Sequence, residues 1–252
     1  MGAPTLAPVN VICGHYGVGK TNLSLNLALD AARAGCAVTL VDLDVVNPYF
    51  RSTEYRALLE ANGVRVIAPV FAEAGTSLDV PSITAALVPA VEAAYAAYEE
   101  EEGASAHADG SLPSVVVIID AGGDDAGATA LGRFARTVEA GPYALFYVVN
   151  RARNLTHEPA EAVQILREVE GASHLRATAV ISNAHLKADT TCSTVVDGAV
   201  FARAVADAAD LPLACITVPD SLLRQENEEL ATLGRTENLY PVQVYVKAPW
   251  EA

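Results

Sequence analysis

The chain has 252 residues, of which 52% are hydrophobic, and its formal net charge is -15 at pH 7. This size and apolar content predict one large α/β domain, residues 1–252, with a substantial buried core. The negative charge, together with the scatter of the basic residues, argues against partners such as DNA, RNA or anionic lipid, and no apolar stretch approaches the length of a membrane span.

Short β-branched runs alternate with longer helical patterns along most of the chain. The alternation predicts successive βαβ units and a three-layer fold, in which a mostly parallel, twisted sheet of about seven strands carries helices on both faces. Gly35, Gly63 and Gly171 are expected to end helices. The predicted strands are 8–13, 37–42, 64–69, 114–119, 143–149, 176–182 and 213–218, and the predicted helices are 22–34, 52–62, 81–98, 128–138, 157–169, 197–209 and 221–232.

The segment from Gly14 to Thr21 reads GHYGVGKT and matches the phosphate-binding pattern G-x-x-x-x-G-K-[ST]. It joins the first predicted strand to the first predicted helix, which is the context that this loop requires. Glycines let backbone N–H groups turn toward phosphate oxygens, and the helix directs the positive end of its dipole at the same charge. The pattern predicts binding of a nucleoside triphosphate, with Lys20 on the β- and γ-phosphates and the Thr21 hydroxyl on magnesium. The residues expected to contact the nucleotide here are Gly14, His15, Tyr16, Gly17, Val18, Gly19, Lys20, Thr21 and Asn22.

Two predicted strands end in acidic residues, at the sheet edge where ligands of open α/β sheets bind. The apolar run 114–119 closes on Asp120, which is the Walker B form, and the backbone N–H of the following Gly123 is expected near the γ-phosphate. Asp42 and Asp44 end a second strand. A nucleotide hydrolase needs an acid to hold magnesium and a group to place the attacking water, and these residues are the candidates. An aspartate at a strand end is also a common turn former.

Residues 99–113 are expected to form a surface loop, because four consecutive glutamates are followed by small and polar residues without periodicity. The first five residues lack the basic and apolar regions of a secretory signal, so a cytoplasmic location is expected. Cys13, Cys36, Cys192 and Cys215 stand far apart, and we expect them to be small buried residues. An iron–sulfur cluster held within one chain is therefore not expected, although one cysteine per subunit could meet its mate in a dimer.

These motifs together resemble the MinD/ParA group of P-loop ATPases. The likeness rests on the Gly17–Thr21 core, the Val-Asp-x-Asp strand end at 41–44 and the Asp120-x-Gly-Gly element, and it extends in order and spacing over nearly the whole chain. The group also includes nitrogenase iron protein, metal-insertion ATPases and the more distant dethiobiotin and cobyrinic acid synthetases. The motifs identify this superfamily rather than one member of it.

The resemblance implies a role for each motif residue, with ATP and magnesium as the cofactors. It assigns Lys20 and Thr21 to phosphate and magnesium, Asp44 to the catalytic water, and either Asp42 or Asp120 to the magnesium shell. The candidate magnesium ligands are thus Thr21, Asp42, Asp44 and Asp120, and the candidate catalytic residues are Lys20, Asp44 and Asp120. The same resemblance implies a nucleotide-dependent homodimer.

The resemblance also places the base. Asn183, which follows a predicted strand, would read adenine through its side-chain amide, and Pro219 belongs to the segment whose backbone lines the base. A guanine site would carry an aspartate three positions after the asparagine, where this chain has Leu186, so ATP is favoured over GTP. Asn183 as a simple turn residue is the alternative. His185, Lys187 and the run 190–192 are open to two interpretations, a partner or substrate surface, or a capped loop.

One position departs from the family pattern. The group usually places a second lysine early in the phosphate loop, where it reaches the partner's nucleotide across a dimer, and this chain has His15 there. His15, Arg51 or Arg133 are candidates to replace that charge, because a fixed cation could stabilise the transition state. Each is also open to a purely structural interpretation, as an exposed loop histidine or a surface arginine.

The expected function is an ATP-driven switch that hydrolyses slowly and acts on a protein client during maturation or positioning. The alternative is an ATP-dependent small-molecule ligase or kinase resembling dethiobiotin or cobyrinic acid synthetase. A nucleotide-binding scaffold without hydrolysis is a third possibility. The missing basic patch, membrane helix and paired cysteines argue against chromosome segregation, division-site placement and iron–sulfur carriage.

Overall fold

A computed structural model describes residues 2–43, 55–68, 80–101, 111–123, 125–152, 158–186 and 189–246, with the backbone alone at 80–84 and 125–126. The strands are β1 (Val9–Cys13), β2 (Ala37–Leu43), β3 (Arg65–Ile67), β4 (Val115–Ala121), β5 (Tyr143–Val149), β6 (Ala179–Ser182), β7 (Leu213–Pro219) and β8 (Leu239–Val242). The helices are α1 (Lys20–Arg33), α2 (Arg56–Ala61), α3 (Val80–Glu100), α4 (Asp125–Gly132), α5 (Ala135–Val138), α6 (Pro159–Ser173), α7 (Cys192–Ala209), α8 (Asp220–Leu223) and α9 (Glu228–Thr236).

In the described ranges, eight strands join one sheet in the order β3-β2-β4-β1-β5-β6-β7-β8, and every neighbouring pair is parallel. The predicted α/β class with a parallel sheet is therefore confirmed. Because the strands are parallel, their carboxyl ends share one edge, where the residues after β1, β4, β6 and β7 meet. β1 lies in the middle of the sheet, between β4 and β5, so the segment that follows β1 stands at the centre of that edge.

Successive strand residues pack on opposite faces of the sheet, which divides the core into layers. In β4, Val117 and Ile119 join the layer that contains residues of α3 to α7, whereas Val116 and Ile118 join the layer formed with α1 and α2. A third cluster packs α7, α8 and α9 against β7 and β8. Both faces of the central strands are thus buried, which explains their continuous apolar sequences.

The structure differs from the sequence-based expectation at several boundaries. The prediction that Gly171 ends a helix is wrong, because α6 continues to Ser173 and His174 closes it in the left-handed conformation with φ 59°. Helices expected at 128–138 and 221–232 are each two shorter helices. α3 extends to Glu100, so the start of the expected loop at 99–113 is helical, and residues 102–110 lie outside the described part of the chain.

The four cysteines are free thiols, and Cys13 and Cys215 are buried as expected, whereas Cys36 and Cys192 are half-buried. Within the described ranges, the helices lack the combination of length and apolar character that a membrane span requires.

Candidate functional site

The loop between β1 and α1 has the backbone that its glycines predict. Gly14, Gly17 and Gly19 have φ angles of 145°, 77° and 88°, which side chains rarely adopt. Gly19 is the N-cap of α1, makes no side-chain cap, and the first turn of this fully described helix holds no acidic residue. The first turn of α1 therefore offers backbone N–H groups and the positive end of the helix dipole to an anion bound in the loop.

Lys20 lies across this loop instead of extending into solvent. Its side chain is 7% exposed, and Nζ donates a hydrogen bond to the backbone oxygen of His15 at 3.1 Å. Burial raises the pKa of the neighbouring Cys13 thiol to about 12, and the positive charge of Lys20 opposes that rise. The ammonium group is thus held close to the backbone of the loop, as binding of phosphate oxygens requires.

Gly123, after β4, packs directly on the loop. A Cβ atom placed on Gly123 would lie 2.6 Å from Lys20 Nζ and 2.7 Å from the backbone nitrogen of Tyr16, so only glycine fits this approach. The segment that sequence analysis placed near the γ-phosphate therefore lies beside the lysine predicted to hold that phosphate. Its contact with a nucleotide stays a prediction.

Asp42 and Asp120 form a pair of buried carboxylates. They are opposite each other in the β2–β4 register, and their exposed fractions are 1% and 2%. They follow Leu40 and Ile118 by two residues, so they project on the face that α1 covers. Asp44, the predicted water-positioning residue, lies outside the described residues.

Carboxylate oxygens are ligands that magnesium prefers, so this pair is suited to hold such an ion. In the described ranges no three His, Cys, Asp or Glu side chains are grouped to hold a metal by themselves. Magnesium commonly takes one or two carboxylates, a hydroxyl such as that of Thr21, and phosphate oxygens, so a complete shell here requires the nucleotide.

Asn183 connects the phosphate loop to two strands. Its Nδ2 donates to the backbone oxygen of Val18 at 2.7 Å, and its Oδ1 accepts from the Thr217 hydroxyl at 2.6 Å. A carboxamide retains one further N–H and one further lone pair, so the predicted contact with adenine stays open. Pro219 ends β7 at the same edge of the sheet, and Leu186 is 43% exposed.

The segment after Asn183 is a capped loop, which was one of the two interpretations of its sequence. The Thr190 hydroxyl accepts from the backbone nitrogen of Leu186 at 2.9 Å, and Thr191 caps α7 reciprocally with Thr194. Asn150 donates to the backbone oxygen of His185 at 3.3 Å. The threonines therefore have structural roles in shaping this loop.

Among the three basic residues considered for the role of a second loop lysine, Arg133 lies apart from the phosphate loop. The preceding Gly132 packs on the end of α6, since a Cβ atom there would lie 2.6 Å from the backbone oxygen of Ala172. The chain passes from the end of α6 to the start of β6, so this end of α6 lies at the edge where the strands begin. Exposed Arg133 is therefore at the amino-terminal edge of the sheet, opposite the phosphate loop. His15 is half-buried within the loop itself, and Arg51 lies outside the described residues.

Asn22 is a predicted nucleotide contact, and its side chain binds the carboxyl-terminal segment. Its Oδ1 accepts from the backbone nitrogens of Tyr245 and Val246 at 2.8 and 3.2 Å. Nothing in the sequence pattern predicted this contact, because the partners are more than 200 positions apart. Its predicted contact with the nucleotide stays a prediction.

Comparison with protein-family models matches residues 11–190 to the CobQ/CobB/MinD/ParA nucleotide binding domain. A comparison with curated proteins gave no match. The cell division protein FtsY from Thermotoga maritima has a similar solved structure, with 20% identity, a TM-score of 0.50 and coverage of 84% of this chain and 63% of that one. The signal recognition particle receptor FtsY from Elizabethkingia anophelis, solved in complex with GDP, has 17% identity, a TM-score of 0.48 and coverage of 84% and 57%. This chain thus spans about three fifths of the length of these proteins. At 20% identity, the likeness to the Thermotoga maritima structure concerns the fold alone.

Proposed function

The chain belongs to the CobQ/CobB/MinD/ParA family of nucleotide-binding domains, and we propose that it is a magnesium-dependent ATP-binding protein and slow ATPase that acts as a switch on a protein client. It is a P-loop nucleotide-binding protein of the MinD/ParA type. The observation that carries the proposal is the uncapped first turn of α1, with Lys20 held across the loop beside Gly123.

The proposed cycle begins when the loop binds the triphosphate. Backbone N–H groups of the first turn and Lys20 hold the β- and γ-phosphates, and Thr21 with Asp42 or Asp120 holds magnesium. Bound magnesium supplies positive charge that stabilises the phosphate oxygens during transfer. Asp44 orients the attacking water. We propose that Gly123, which lies beside Lys20, contacts the γ-phosphate, so its segment and the segment after Asp44 would rearrange when that phosphate leaves.

The switch would act on a partner protein. Segments that rearrange with the bound nucleotide would change the protein surface that the partner contacts. ATP would favour a closed homodimer or a docked client, and hydrolysis would release it. We place the protein in the cytoplasm and propose no role in binding nucleic acid, membranes or iron–sulfur clusters.

We expect ATP to bind more tightly than GTP. Asn183 offers donors and an acceptor to adenine, while Leu186 supplies no carboxylate for the N1 and N2 hydrogens of guanine. A competition titration with a fluorescent ATP analogue measures the preference. The variant Leu186→Asp is the matched test, because this side chain is 43% exposed and the new carboxylate should raise GTP affinity relative to ATP. Comparable affinities for the two nucleotides in the unsubstituted chain would count against adenine recognition.

Hydrolysis is tested by steady phosphate release with magnesium and ATP. We expect slow turnover in the unsubstituted chain and loss of turnover in Asp44→Ala, with ATP binding retained, because this residue acts on the water and not on the nucleotide's affinity. Equal turnover in the two proteins would remove Asp44 from the mechanism. No turnover in either would leave a nonhydrolysing scaffold.

The client is sought with the same variant. An ATP-locked Asp44→Ala protein should retain a protein partner from native lysate when ATP is present and release it when ADP replaces ATP. The ligase alternative makes a different prediction, since a small carboxylic acid would then be consumed in proportion to ATP. Stimulation of turnover by candidate acids, without any protein partner, would favour that alternative.

A further inference from the structure

The carboxyl-terminal segment runs along the helix that follows the phosphate loop. The Tyr240 hydroxyl donates to Asp30 Oδ2 at 2.8 Å, the Gln243 backbone nitrogen donates to Asn26 Oδ1 at 2.8 Å, and the Tyr245 nitrogen donates to Asn22 Oδ1 at 2.8 Å. Positions 30, 26 and 22 are spaced one helical turn apart on one face of α1. Residues 240–246, here called the strap, therefore run antiparallel to α1 and toward its first turn.

The side chains of Asn22 and Asn26 each both donate to and accept from the backbone of the strap. Nδ2 of Asn26 and Nδ2 of Asn22 donate to the Gln243 backbone oxygen at 2.9 and 3.0 Å, while their Oδ1 atoms accept from strap backbone nitrogens. A carboxamide offers a donor and an acceptor and so satisfies an extended segment that continues beyond edge strand β8. Asparagine is a weak helix former, so these positions lose helix propensity and gain a specific long-range attachment.

The strap also reaches the strand end where the base is proposed to bind. Val242 is paired with Pro219 in the β7–β8 register, and Gln243 Nε2 donates to Asp220 Oδ2 at 3.1 Å. Arg224 holds the same carboxylate through Nε at 2.9 Å and lowers the pKa of Asp220. One short segment thus connects the residue after Pro219 with the residue after Thr21.

We propose that Asn22 and Asn26 are positioning residues, and that the strap fixes the spacing between the phosphate-binding turn of α1 and the strand end after Pro219. This inference rests on the proposed nucleotide function. A ligand that contacts two subsites gains affinity when their separation is preset, and a ligand that contacts one subsite gains nothing from it. Loosening the strap should therefore weaken ATP more than a ligand of the phosphate subsite alone.

The experiment compares magnesium-ATP with magnesium-tripolyphosphate in calorimetric titrations of the full chain. In the variant Asn26→Ala we expect ATP to bind about tenfold more weakly while tripolyphosphate affinity changes less than about twofold, and Asn22, itself a predicted nucleotide contact, is left unchanged. Asn238→Ala is the matched control, because this amide also donates to a backbone oxygen, that of Ala214 at 3.3 Å, but binds β7 and not α1. Its affinities for both ligands should equal those of the unsubstituted chain.

A second variant covers failure of Asn26→Ala to fold. Gln243→Ala removes only an exposed side chain and its bond to Asp220, and we expect about threefold weaker ATP binding with tripolyphosphate unchanged. The proposal is overturned if ATP affinity is unchanged, or if ATP and tripolyphosphate weaken equally, since that result indicates local disorder of the phosphate turn. If the unsubstituted chain binds tripolyphosphate but not ATP, the proposed function is wrong. If it binds ATP and the variants bind ATP equally well, only the proposed role of the strap is wrong.

Discussion

Replacing Lys20 with alanine is expected to weaken ATP binding at least about 100-fold. The side chain is 7% exposed and held over the loop backbone, so its charge acts where water screens it little. Each charge-assisted hydrogen bond contributes roughly 1.5–3 kcal/mol, about 1.4 kcal/mol corresponds to tenfold in affinity, and Lys20 is proposed to make two such bonds, one to the β- and one to the γ-phosphate. Calorimetric titration with magnesium and ATP measures the change directly.

Arg133→Ala is the matched control for net charge. It removes one positive charge from an exposed side chain beyond the end of α4, at the sheet edge opposite the phosphate loop. Affinity for ATP should stay within about twofold, because solvent and salt screen a distant exposed charge. If Lys20→Ala binds ATP as the unsubstituted chain does, the phosphate loop has been assigned wrongly. If both variants weaken binding equally, the net charge of the chain explains the result better than a direct contact between Lys20 and the phosphates.

Replacing Gly19 with alanine is expected to weaken ATP binding by at least about tenfold. The residue has φ 88°, and a Cβ atom there would lie 2.5 Å from Asn183 Nδ2 and 2.5 Å from His185 Nε2. The left-handed backbone alone costs an alanine roughly 1–2 kcal/mol. In addition, Asn183 must shift away from Val18, whose backbone oxygen it binds at 2.7 Å. The loop would then lose its connection to β6 and β7, which is why affinity and stability should fall together.

Gly35→Ala separates backbone strain from the loss of the loop's fit to the nucleotide. Gly35 follows the other end of α1 with φ 97°, and a Cβ atom there meets nothing within 4 Å. This variant should lose thermal stability through backbone strain, with ATP affinity unchanged, as measured by thermal melts and titration on the same samples. Equal losses of affinity in Gly19→Ala and Gly35→Ala would indicate that strain in the chain, and not the fit of the loop, controls binding.

The sequence predicted the central part of the fold because the relevant signals are local. Strands buried on both faces read as continuous apolar runs, and all seven predicted strands are present. β8 gave no such signal. It has four residues and includes Pro241, which removes a backbone donor and is tolerated because the strand lies at the sheet edge. β8 forms by pairing with β7, and its own four residues carry no strand pattern.

Candidate site residues were predictable where a motif fixes them along the chain. The phosphate loop is contiguous, and a parallel sheet brings strand ends such as Asp42 and Asp120 to one edge. The bonds between α1 and the strap were not predictable, because Asn22 and Gln243 are 221 positions apart and asparagine in a helix has many interpretations. The sheet edge at which Arg133 lies was not predictable for a related reason, because only the packing of α4 on α6 shows it.

The most direct measurement is a crystal structure grown with magnesium and a nonhydrolysable ATP analogue. We predict that the β- and γ-phosphates lie within hydrogen-bonding distance of Lys20 Nζ and of backbone N–H groups between Gly17 and Thr21, with a metal between Thr21 and the Asp42–Asp120 pair. An analogue bound elsewhere, with the loop empty or covered by its own side chains, would contradict the account.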